Sequence, residues 1–236
     1  LELYAGLVES HMLTLTVQLA SGITPPHALR MTASLTTTEE GSGPPPPPGY
    51  MRLIEDCHLF ALLLLCNLCS DSRLHLRLLT AGVLGPFVRS ATTTAEHHQR
   101  SAFRHRAVAF ALYQLSRTVG THTELVRQEA LPAVVRLGDS ADFDAVLFAA
   151  MSLANLAAGK MSAAALHKGG LQFAVTCANH EDVPEIRALG IIALENMAAS
   201  SLEHSVSDFV EYVAAVNANW TGVDWGWSAW YDRHLG

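Results

Sequence analysis

Ala150-Met151-Ser152-Leu153-Ala154-Asn155-Leu156-Ala157, followed by Gly169-Gly170-Leu171, is the stretch on which the reading of this chain turns. An apolar run closes on one amide, and a pair of glycines precedes the next apolar run. The phrase recurs on either side. Apolar runs close on Asn67, Gln114, Asn155 and Asn196, separated by 47, 41 and 41 residues. A small residue follows in step: Gly82 lies 15 residues after Asn67, Ala130 lies 16 after Gln114, and Gly170 lies 15 after Asn155. A fixed period in the forties is the signature of stacked helical repeats. The small residue suits a sharp bend between helices, where glycine turns left-handed or lets backbones approach without a Cβ penalty.

The rest of the chain is read from that period. Long helices are expected over 52–69, 103–116, 142–157 and 183–198, the last opened by Pro184 in its first turn. Between them, 71–81, 123–129 and 162–168 read as shorter helices leading into Gly82, Ala130 and Gly169-Gly170. Thr92 to Arg100 reads as a polar connector. The repeats span residues 50–200, about four in number with the last one partial. Residues 1–35 read as two N-terminal capping helices, over 1–20 and 27–35. Residues 36–49 contain Gly-Ser-Gly, five consecutive prolines and a glycine, a linker composition that favours extended polyproline backbone over a packed core. Residues 201–236 read as a last helix over 206–218 and a tail that holds all four tryptophans.

Composition agrees with closely packed helices. Half of the 236 residues are apolar, mostly Ala and Leu, and only 7% are aromatic, where a β-sandwich would want more Val, Ile, Thr and Tyr. The net charge of −7 is uneven: residues 139–236 carry 12 acids against 4 basic residues, which disfavours a grip on a nucleic-acid backbone. The longest unbroken apolar run, Leu59 to Cys66, is 8 residues, well short of the roughly 20 needed to cross a bilayer. The four cysteines, Cys57, Cys66, Cys69 and Cys177, are too few and too bunched for a disulfide framework, so an intracellular setting is expected. The first residue is Leu1, which leaves a cytoplasmic or cytoskeletal location and a processed mitochondrial one both open.

The pattern Ala-x-x-Leu-x-Asn-Leu-Ala, with Gly-Gly-hydrophobic about 15 residues beyond its amide, resembles an armadillo repeat, most closely at Ala150–Ala157 with Gly169-Gly170-Leu171. The resemblance covers roughly residues 50–200. It implies an all-α, right-handed α-solenoid of armadillo-like repeats with an extended concave face. In the nuclear-import members of that family a tryptophan four positions before the groove asparagine stacks on lysine stems of the cargo. Here those positions are Leu63, Phe110, Met151 and Ile192, and one amide is Gln114, so that role does not transfer.

Candidate sites follow. Asn67, Gln114, Asn155 and Asn196 either line the concave face and bond a partner's backbone, or bond local backbone where helices meet, since a buried amide needs partners. Trp220, Trp225, Trp227, Trp230 and Tyr231 either cap the apolar end of the array or anchor a partner, because such residues carry much of the energy of protein interfaces. Cys66-Asn67-Leu68-Cys69 is a C-x-x-C, which opens a redox or metal-binding reading, but it sits in an apolar helix without a second pair, and core packing is expected. His97, His98, Arg100, Arg104, His105 and Arg106 read as a solvated basic helix face. Asp139, Asp142 and Asp144 read as charge complementing a helix N-terminus. No Gly-rich phosphate loop or nucleophile elbow is present in the sequence. The expectation is a non-catalytic scaffold subunit of a larger multisubunit assembly, with protein partners, no cofactor and no small-molecule substrate. A peptide-binding adaptor using the concave face is the alternative.

Overall fold

The computed structural model describes residues 11–22, 50–92, 98–158 and 169–201. The expected helix over 27–35, the linker 36–49, the lead-in 162–168 and the segment 202–236 lie outside the described residues. Among the described residues all regular structure is helical. Helix α1 is His11–Ala20 and α2 is Tyr50–Leu68. A 3-10 turn, Ser72–Leu74, leads into α3, His75–Thr80, and α4, Leu84–Thr92. After α5, His98–Ser116, a second 3-10 turn, Val119–Thr121, leads into α6, His122–Arg127, and α7, Ala130–Gly138. Then come α8, Phe143–Ala157, α9, Leu171–Ala178, and α10, Pro184–Ser201.

The elements fall into triplets of short, medium and long helices: α3, α4, α5, then α6, α7, α8, then α9 and α10. Like packs on like. The long helices α2, α5, α8 and α10 lie side by side in chain order, the medium helices α4 and α7 pack together, and α1 packs on α2 at the start of the array. The chain bends by 104° between α2 and the segment Ser72–Thr80, so α3 leaves α2 nearly at a right angle. Leu65, Leu68, Leu78, Leu79 and Phe87 in one repeat, and Leu112, Leu115, Leu125, Leu131 and Leu137 in the next, are fully buried. Each such side chain contributes about 1.5–3 kcal/mol on leaving water, so the period is held by the leucines inward of the amides. No single described helix is long and apolar enough to cross a membrane.

Two expectations are corrected. The connector Thr92–Arg100 is helical at both ends, since α4 runs to Thr92 and α5 starts at His98. Thr92 is held in α4 because its hydroxyl donates back to the Val88 and Arg89 carbonyls. The left-handed bends fall at Gly82 (φ 85°), Glu129 (φ 62°) and Gly169 (φ 86°), not at Ala130 or Gly170. Ala130 is the first residue of α7 and Gly170 is right-handed. The second repeat therefore makes its bend with a glutamate in a conformation that glycine adopts more cheaply.

One glycine matters for close approach. A Cβ on Gly190 of α10 would meet Ala178 N of α9 and would lie 2.7 Å from the Ala174 carbonyl oxygen. The absent side chain lets two helix backbones cross in near contact.

Candidate interaction face

The sequence places its amides near the C-terminal ends of the four long helices, and packing sets those helices in a row. Asn155 and Asn196 reach across to the preceding long helix. Asn155 Nδ2 donates to Ser116 Oγ at 3.1 Å, and Ser116 Oγ donates to the Tyr113 carbonyl at 2.8 Å. Asn196 Nδ2 donates to the Ala154 carbonyl at 3.4 Å. Both side chains are half-buried. Gln114 Oε1 accepts from Arg117, just past the end of α5, at 3.1 Å, and Asn67 is exposed. Two of the four amides therefore brace helix against helix, one is engaged locally, and one faces solvent.

One turn back, Leu63, Phe110 and Ile192 are half-buried and Met151 is buried. The Phe110 and Phe148 rings meet edge-on with centroids 5.3 Å apart, and Phe148 stacks on Tyr113 at 5.8 Å. The Arg117 guanidinium lies 5.8 Å from the Tyr113 centroid. Phe60 and Leu53 of α2 share one stripe of that helix and are 68% and 60% exposed. The face is thus a strip of mostly apolar and aromatic side chains bordered by amides, with Arg117 over Tyr113 and Asp56 between Leu53 and Phe60.

Cys66 and Cys69 are buried in α2. Burial pushes both thiols well above the usual cysteine range, which disfavours the thiolate that redox or metal chemistry uses. Among the described residues no group of three His, Cys, Asp or Glu side chains could hold a metal ion. The basic stretch is partly spent internally. Arg106 pairs with Asp142 at 2.6 Å and with Asp144 at 3.2 Å, and His105 Nδ1 lies 3.2 Å from Ser140 Oγ. Asp142 is buried, caps α8 by accepting from Ala145 N at 3.0 Å, and is held below the usual carboxylate range, chiefly by its hydrogen bond from Arg106.

Two buried histidines went unread in the sequence. His75 Nε2 donates to the Cys69 carbonyl at 2.7 Å, and His122 Nε2 donates to the Ser116 carbonyl at 2.6 Å. Each ring closes the orphan end of a long helix from the short helix that follows it. Their separation of 47 residues equals that of Asn67 and Gln114, and this was the signal that would have found them. His75 Nδ1 accepts from the Thr118 hydroxyl at 2.8 Å, while His122 Nδ1 has no partner among the described residues.

Trp220, Trp225, Trp227, Trp230 and Tyr231 lie outside the described residues.

Helix triplets stacked in register, two amides that brace successive long helices and a left-handed bend before each medium helix define an armadillo-like α-solenoid. Solved structures share this fold. Over 92% of this chain and 75% of the other, the architecture is similar to designed armadillo repeat protein YIII(Dq)4CqI, with a TM-score of 0.59 at 17% identity. Designed armadillo repeat protein YIII(Dq.V1)4CPAF, solved in complex with peptide (KR)4, gives a TM-score of 0.57 at 17% identity, over 92% of this chain and 85% of that one. Computationally designed armadillo repeat proteins for modular peptide recognition give 0.54 at 18% identity, over 88% and 81%. No protein-family model and no curated protein sequence matches the chain.

Proposed function

We propose that this chain is a non-catalytic protein-interaction module that serves as a scaffold subunit of a larger multisubunit assembly inside the cell. The observation that carries the reading is the use of Asn155 and Asn196 as braces between long helices, so that side chains which would read a partner's backbone instead stiffen the array. Scaffolds depend on such stiffness, because holding several partners in fixed geometry fails if the support bends. Trp220, Trp225, Trp227, Trp230 and Tyr231 are the proposed anchors for partner subunits. Affinity purification of the full chain with mass spectrometry tests this. The expected result is a reproducible set of protein subunits that is lost when Trp225, Trp227 and Trp230 are replaced by Ala. Recovery of the same subunits with that variant would overturn the anchor assignment.

A peptide-binding adaptor is the second reading, favoured by the exposed Asn67 and by the half-open strip at Leu63, Phe110 and Ile192. Asn67→Ala separates the two. Because Asn67 is exposed, the variant should melt like the parent; loss of partner binding would then support the adaptor.

A further inference from the structure

The strip along the long helices is largely apolar and incompletely covered, and its most open part lies on α2, where Asp56 is the one charged residue between Leu53 and Phe60 on the stripe. Phe60 is 68% exposed and Leu53, two turns earlier on the same stripe, is 60% exposed, with the exposed amide of Asn67 close by along the helix. Two large apolar side chains this open on one stripe of a helix offer a contact surface for an apolar segment. The chain contains a segment of matching chemistry. Residues 220–231 hold four tryptophans and a tyrosine, with Asp224 as their only charge. Indole rings suit an apolar strip, and the indole N–H donates to an amide carbonyl such as that of Asn67.

Length permits the encounter. The 18 residues between Ser201 and Trp220 can extend about 60 Å. The stack from α10 back to α2 is three interhelical spacings, on the order of 30 Å. We propose that residues 220–231 dock on the Leu53–Phe60 face of α2 in their own chain, covering it until a partner competes for the tryptophans. The inference rests on reading the tail as a contact element and gives it a resting site, so that partner capture becomes an exchange rather than the exposure of four indoles to water.

All four tryptophans lie in this segment, so intrinsic tryptophan fluorescence of the full chain reports on it alone. The emission maximum should be blue-shifted relative to a synthetic 220–231 peptide. In Phe60→Asp it should move to the peptide's maximum with helical circular dichroism unchanged, because the replaced side chain is largely in water. Leu53→Asp should act in the same direction. Emission at the peptide's maximum in the parent chain would overturn the proposal. So would a blue-shifted maximum that neither variant moves, which would place the tail elsewhere, such as at the end of the array. A blue shift that appears only at concentrations where sedimentation shows a dimer would overturn it in favour of a second copy. The measurement uses the isolated chain, so its outcome is independent of whether any partner is captured.

Discussion

Asn155 Nδ2 donates to Ser116 Oγ at 3.1 Å, tying α8 to the end of α5 across an interval of 39 residues. Ser116 is buried and its own hydroxyl proton goes to the Tyr113 carbonyl, so the amide supplies the second bond of a small closed network. Asn155→Ala removes the donor without leaving a charge behind. The expected cost is about 1 kcal/mol in urea unfolding, and a double-mutant cycle with Ser116→Ala should recover about half or more of it as coupling. Additive effects would show that the two side chains do not act on one another.

Glu129 bends the chain at φ 62° where the neighbouring repeats use Gly82 and Gly169. Glu129→Gly removes the left-handed penalty, and a gain of about 1 kcal/mol in thermal or urea unfolding is expected. Glu129→Ala keeps the Cβ and should show no such gain. Equal effects from both would assign the change to the carboxylate and not to the backbone.

Gly190 faces the α9 backbone at Ala174, Cys177 and Ala178. Gly190→Ala would ordinarily stabilise a helix, but here the new methyl meets main chain that cannot rotate away. A loss of about 2–3 kcal/mol is expected, measured as a lowered urea midpoint at unchanged m-value. A stabilised variant would mean that α9 and α10 are further apart than described.

Asp142 links acid sensitivity to the contact between α5 and α8. The fold lowers its carboxyl pKa, mainly through the Arg106 hydrogen bond. The native state therefore loses the proton at lower pH than the unfolded chain does. The stabilisation is complete above the unfolded aspartate value of about 3.9 and disappears as pH falls through the folded value. Asp142→Asn should lose about 1 kcal/mol at pH 7 and progressively less toward pH 2, since asparagine still caps the helix but cannot pair with Arg106. A cost that did not shrink on acidification would place the effect in the cap alone.

The fold was legible because it is periodic. Leucine and alanine spacing around Asn67, Gln114, Asn155 and Asn196 sets helix faces locally, and each repeat restates the last, so the row of long helices and the armadillo-like stacking follow from the chain alone. What those amides bond to was not legible. Asn155 and Asn196 share the Leu-x-Asn-apolar context of Asn67, yet two reach the preceding long helix and one faces water, because α2 opens the row of long helices among the described residues and has none before it. The sites of the left-handed bends were misplaced for a related reason: a small residue beside a bend and the residue that makes it differ by one position, and Glu129 shows that connection length can outweigh the preference for glycine. His75 and His122 carried the period openly, but their role as latches depends on the turn after each long helix, which brings the ring back to the carbonyl it closes. Sequence alone determined the repeat; only packing between repeats decided which of its polar groups are braces and which remain available for contact.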